Sequence, residues 1–68
     1  MMFRAVDCSA ILPRKDGYIT ATICGINYKF QYDNDASRDA ALLAAYESWN
    51  QAEMAEGFEW VTVQGYNT

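Results

Sequence analysis

Tyr18–Tyr32 reads YITATICGINYKFQY, and Asp33–Gly57 reads DNDASRDAALLAAYESWNQAEMAEG. The change of period between these two stretches decides the fold. In the first, Tyr18, Thr20 and Thr22 alternate with Ile19, Ala21 and Ile23, which is the period of two expected of a strand. Gly25 marks a tight connection, after which Tyr28, Phe30 and Tyr32 alternate with Asn27, Lys29 and Gln31. The pair predicts a β-hairpin whose apolar face carries Ile19, Ile23, Tyr28 and Phe30, with Tyr32 a further candidate. In the second stretch, Asp33–Asn34–Asp35 offers side chains that accept the free amides of a first helical turn, and Ser37 is a second cap candidate. From about Ala36 to Glu56 the residues are mostly strong helix formers. Leu42, Ala45, Tyr46, Trp49 and Ala52 recur at spacings of three and four, as a helix packed on one side requires. Gly57 supplies a left-handed stop.

Outward from this centre, Met2 to Cys8 reads as a strand with imperfect alternation: Phe3 and Ala5 share a side with Asp7. Leu12–Pro13–Arg14–Lys15–Asp16–Gly17 reads as a loop, because proline lacks a donor and Asp-Gly favours a tight turn. Phe58 to Gln64 is the last strand, and Gly65–Thr68 a tail expected to fray. The expected fold is α+β: a mainly antiparallel sheet of four strands packed on one helix, in the order β-β-β-α-β, as one domain over residues 1–68.

At 68 residues, 51% hydrophobic and 15% aromatic, the chain has globular rather than disordered composition. It is too short for several domains, and a deep enclosed cofactor pocket is not expected. No apolar run approaches the roughly 20 residues of a membrane span. Arg4 and Asp7 interrupt any N-terminal signal core, so a cytoplasmic location is expected.

The net charge of −4 is unevenly spread. Residues 1–32 hold four cations (Arg4, Arg14, Lys15, Lys29) against two acids, whereas residues 33–68 hold only Arg38 against seven acids. An acidic half repels phosphate backbones, so no direct nucleic-acid binding is expected. It can instead meet a basic surface on a partner protein, or serve simply as a solvated helix face. Asp35 and Asp39 favour the helix dipole, while Glu53 and Glu56 near its end oppose it.

Catalytic and metal constellations are absent from the sequence. There is no histidine, so no Ser-His-Asp set, and two cysteines cannot close a four-ligand zinc site. Glycines 17, 25, 57 and 65 lie too far apart for a phosphate loop. Asp33, Asp35 and Asp39 lack the glycine and terminal glutamate of a calcium hand. No enzyme activity, no cofactor and no metal are therefore expected. Cys8 and Cys24 could pair across strands, but in the cytoplasm they are expected reduced.

Apolar groups are left over once one helix covers one sheet face. Tyr18 and Trp60 point away from it, with Phe58 a further candidate, and Leu43 and Met54 lie off the helix's core stripe. Aromatic and methionine side chains are enriched at interface cores. The candidate partner-binding residues are thus Asp35, Asp39, Leu43, Glu47, Glu53, Met54, Glu56, Tyr18 and Trp60, facing a protein partner or a second copy.

From Tyr18 to Val63, a hairpin followed by an acidic Ala/Leu helix and a last strand resembles the small podophage inhibitors of bacterial RNA polymerase. The nearest points are Ala40–Ala41–Leu42–Leu43–Ala44–Ala45, Trp49 and Gly57–Phe58–Glu59. The chain differs in a longer first strand and a longer helix. In size, charge and layout it is also similar to several type I anti-CRISPR proteins. The resemblance implies a small acidic phage-type inhibitor that binds stoichiometrically to a larger host or defence nucleoprotein complex. An anti-CRISPR is the first expectation, an inhibitor of host RNA polymerase or a homodimeric accessory protein the alternatives.

Overall fold

The computed structural model describes all residues, Met1–Thr68. The protein is α+β, with one helix and antiparallel strands, but there are five strands in the order β-β-β-β-α-β, not four in the order β-β-β-α-β, and they form two sheets rather than one. Strands β2 (Cys8–Arg14), β3 (Tyr18–Ile23) and β4 (Ile26–Gln31) make a three-stranded sheet in that order. Strands β1 (Met2–Arg4) and β5 (Trp60–Thr62) make a separate two-stranded ribbon. The helix α1 spans Asp35–Met54.

The β3–β4 hairpin closes through Cys24 and Gly25, both at positive φ (52° and 80°), as a two-residue turn matched to strand twist requires. Its register runs from Ile23 opposite Ile26 to Tyr18 opposite Gln31. Ile19, Ala21, Ile23, Phe30 and Tyr32 are buried as the alternation predicts, and Tyr28 packs half-buried beside them.

Two expectations fail at the N-terminal side. The predicted strand Met2–Cys8 is broken by a 3-10 turn at Ala5–Asp7. In a straight strand Asp7 would follow Phe3 and Ala5 into the core; the break turns it to solvent and lets the chain change sheets. The predicted loop at Leu12–Arg14 is instead the end of β2, with Pro13 opposite Ile19. Proline is tolerated because β2 is an edge strand, where one side of the backbone needs no partner. The reversal is confined to Lys15–Gly17, with φ of 65° at Asp16 and 73° at Gly17.

Helix α1 is capped by Asn34, whose side chain accepts from the Ser37 amide at 2.8 Å. Ala45 and Ala52 are fully buried, and Leu42, Tyr46 and Trp49 pack against the core around them. Tyr46 Oη donates to the Ile11 carbonyl at 2.7 Å, fixing the helix on β2. Ser48 Oγ accepts from the Thr62 amide at 3.2 Å and so satisfies part of the open edge of β5. Trp49 is used for its ring alone: its Nε1–H is buried without an acceptor, a cost of about 1–3 kcal/mol.

The helix ends one residue earlier in conformation than the sequence suggests. Gly57 N donates to Ala52 O at 2.7 Å and Glu56 N to Glu53 O at 3.0 Å, the paired bonds of a Schellman ending. In that ending the first left-handed position belongs to Glu56 (φ 60°), not Gly57 (φ 79°). A side chain in that region costs about 1 kcal/mol or more, and an acid there opposes the dipole by a few tenths. Glu56→Gly is therefore expected to stabilise the protein by about 0.5–1 kcal/mol, after the offsetting unfolded-state entropy of glycine. Thermal unfolding should report a rise of about 3–6 °C; a fall would mean that the Glu56 side chain makes a stabilising contact.

The expected fraying tail is docked. Tyr66 stacks edge-on against Phe30 with ring centroids 4.9 Å apart, and Asn67 N donates to Gln31 O at 2.7 Å along the outer edge of β4. Tyr32 Oη donates to Gln64 O at 2.9 Å.

Candidate functional site: an apolar end flanked by acids

Cross-strand partners share a face, so the register of β1 and β5 sorts this ribbon completely. Phe3 opposite Val61 faces the core; Met2 opposite Thr62 and Arg4 opposite Trp60 face out. The Arg4 guanidinium lies over the Trp60 ring, 4.3 Å from its centroid, and its Nη1 donates to the Phe58 carbonyl. This clamp holds Trp60 at 47% exposure beside Phe58 at 64%. Val6 N donates to Gly57 O at 3.3 Å, which brings exposed Val6 beside the same turn. Met54, at 86% exposure, ends the helix four residues before Phe58. Met2, Val6, Phe58 and Trp60 thus lie about Arg4 at one end of the molecule, where the Met1 ammonium also donates to the Val63 carbonyl at 2.6 Å and to Tyr66 Oη at 3.1 Å. Met54 stands at this end too, but on the helix face opposite Ala45 and Ala52.

The nine sequence candidates divide between four places. Trp60, Met54, Glu53 and Glu56 belong to this end. Asp35 and Asp39 lie at the far end of a 20-residue helix, about 30 Å long at 1.5 Å per residue, close to the full 33 Å length of the molecule. Leu43 and Glu47 are exposed between the two. Tyr18 sits on the outer face of the three-stranded sheet, under Lys29 Nζ at 4.4 Å from its ring centroid, with Arg14 as its cross-strand neighbour. Tyr18 and Trp60 therefore do not share a surface. Met2, Arg4 and Val6 were not legible as site residues, since nothing in the sequence pairs the first strand with the last.

The acids are unequal. Both ion pairs of the protein belong to Arg38, which lies 2.7 Å from Asp39 and 3.7 Å from Asp35 and also donates to the Arg14 carbonyl. The acids of the first turn are thus partly compensated. Glu47, Glu53, Glu56 and Glu59 have no cation partner. Glu53 lies close enough to Cys8 to help raise its thiol pKa, after burial, which is the main cause; a backbone hydrogen bond at Ala10 partly opposes both. Burial, then Tyr66, likewise raises the Tyr32 phenol.

Both cysteines are free, Cys8 half-buried and Cys24 exposed on the hairpin turn. Cys8 and Tyr32 hold their protons more tightly folded than unfolded. Their contribution to stability is complete below the ordinary thiol and phenol ranges, about 8.5 and 10, and is lost as pH rises through the raised folded values. The urea midpoint is expected to fall above about pH 9, and Cys8→Ala should flatten the first part of that fall. Iodoacetamide should label Cys24 well before Cys8; equal rates would contradict the burial of Cys8.

No three side chains of metal-ligating type gather, no cavity indents the surface, and no helix is long and apolar enough to cross a membrane.

No family model matches the chain, and no solved structure does. The chain is similar to a protein of Dictyostelium discoideum named store-operated calcium entry-associated regulatory factor, 41% identical over 46 residues. The match covers 68% of this chain but only 14% of that protein. This likeness to a eukaryotic regulatory factor corrects the expectation of a phage-type anti-CRISPR inhibitor, and nothing favours inhibition of host RNA polymerase or the homodimeric accessory role in its place. The earlier resemblance rested on size, acidity and strand–helix layout, which unrelated small α+β domains share.

Proposed function

We infer that the chain is a protein-recognition module that acts by docking a partner on the outer face of the β1–β5 ribbon, without catalysis of its own. The observation that carries this reading is the gathering of Met2, Val6, Phe58 and Trp60 at one exposed end. Large apolar side chains concentrated on one surface mark interaction sites, whereas single exposed ones need no explanation. Trp60 is held in place by Arg4 before any partner arrives, which lowers the ordering cost of binding. The name of the Dictyostelium relative, a regulatory factor, fits a module that acts through binding. A reducing, cytoplasmic setting suits two cysteines that remain thiols.

The test is site-specific photocrosslinking in the cells that express the protein. A benzoylphenylalanine at Phe58 should form a discrete adduct with another protein, and one at Thr20, on the outer face of the three-stranded sheet, should not. Equal yield at both positions, or adducts only between copies of this chain, would refute the reading.

A further inference from the structure

We propose that the partner segment received at this end is cationic and amphipathic: a stretch of a partner protein with one apolar face bordered by Lys or Arg. This inference rests on the recognition reading above and adds to it the chemistry of the occupant. Its argument is charge complementarity. Beside the apolar side chains Met2, Val6, Phe58 and Trp60 stand four exposed acids: Asp7 follows Val6, Glu56 and Glu59 bracket Gly57–Phe58, and Glu53 lies by Cys8. Against them are two positive groups, Arg4 and the Met1 ammonium. Both are committed: the Arg4 guanidinium is stacked on Trp60 and bonded to the Phe58 carbonyl, and the ammonium donates to the Val63 carbonyl and to Tyr66 Oη. The other four cations are elsewhere. Arg14, Lys15 and Lys29 belong to the three-stranded sheet and its turn, and Arg38 is bound to Asp35, Asp39 and the Arg14 carbonyl.

Glu53 and Glu56 also stand at the negative end of α1, so the helix dipole adds to their field instead of cancelling it. An anionic membrane surface or a nucleic acid would be repelled by this rim. A neutral apolar segment would leave four carboxylates beside it without compensation. A segment with apolar side chains inward and cations at its border meets both demands: its apolar face covers the aromatic and methionine side chains, and its cations reach the rim. An exposed methionine suits such a role because it adapts to differently shaped apolar faces, while the clamped Trp60 supplies a rigid anchor.

The test uses the intact chain and a designed Leu/Lys amphipathic peptide of roughly 18 residues, long enough to form a helix by itself. Two controls accompany it: the same apolar face with Glu in place of Lys, and the same face with Gln. Binding is followed by amide chemical shifts and by Trp fluorescence. The Leu/Lys peptide should bind with a Kd on the order of 10–100 µM, as a small weak interface would. Shifts should centre on Met2, Val6, Phe58 and Trp60. The Leu/Gln peptide should bind about tenfold more weakly and the Leu/Glu peptide more weakly still. Raising salt from about 0.05 to 0.5 M should remove most of the Leu/Lys advantage, since screening shortens the reach of surface charge. The combined variant Glu53→Gln, Glu56→Gln, Glu59→Gln should lose that advantage while retaining its circular dichroism. Trp60→Ser should lose binding of all three peptides.

Equal affinity for the Leu/Lys and Leu/Gln peptides at low salt would overturn the proposal. So would Leu/Lys shifts centred away from these residues, or no binding. Each of those results leaves the Phe58 crosslink as a separate measure: an adduct there keeps the recognition reading and removes only the cationic occupant.

Discussion

Phe3→Ala is expected to destabilise the protein by about 3–5 kcal/mol, the range for truncating a buried aromatic core residue. Phe3 is one of the two side chains that the β1–β5 ribbon turns inward, opposite Val61, and it is 5% exposed. A two-stranded ribbon has little stability of its own in water, so this one persists by sharing a core with Ala45 and Ala52 of α1. Removing the ring leaves a cavity between the ribbon and the helix. The loss approaches the whole stability of many domains of this size. Urea unfolding monitored by circular dichroism would measure it. In the same experiment Met2→Ala, one residue away on the outer face, should change the unfolding free energy by no more than about 0.5 kcal/mol. Similar losses at both positions would contradict the assigned register.

Gly57→Ala is expected to cost about 2–5 kcal/mol through two separable causes. The first is conformational: φ is 79°, where a side chain costs about 1–2 kcal/mol. The second is steric: an added Cβ would lie 2.4 Å from Val6 Cγ1, and overpacking of this kind costs about 1–3 kcal/mol. Val6→Ala removes the obstructing methyl without touching the φ. In the Val6→Ala background the penalty for Gly57→Ala should therefore shrink to the conformational part. A penalty unchanged by Val6→Ala would show that backbone strain is the whole effect. Gly57 matters for the proposed site too, since the close passage of Val6 over this turn places Val6 beside Phe58.

These two substitutions fall where sequence reasoning was weakest. The hairpin and helix were legible because each is specified by neighbours in the chain: alternation around Ile19–Ile23, a positive-φ turn at Gly25, an Asx cap before Ala36 and a three-four stripe from Leu42 to Ala52. Pro13 misled because its exclusion from strands depends on whether the strand lies at an edge, a property of the assembled sheet. Met2–Cys8 misled because the turn that divides it is driven by keeping Asp7 out of a core that only the fold creates. The left-handed residue at the helix end was assigned to Gly57 by residue type, whereas the Schellman hydrogen bonds place Glu56 there first.

The candidate site shows the same division. Exposure of Trp60, Met54 and Leu43 followed from counting the apolar groups one helix can cover, and the acidity of the second half was plain. That Arg4 would stack on Trp60, that Tyr18 would sit far from both, and that Arg38 would neutralise the first helical turn were not.

By itself the sequence determined the class of structure, one acidic helix on antiparallel strands, because periodicity and capping act over a few residues. Only the tertiary structure decided that the strands split into a sheet of three and a ribbon of two, and so which exposed apolar side chains stand together. Pairing residue 3 with residue 61 is a contact across nearly the whole chain, chosen by the burial that all elements achieve together and written in no local pattern.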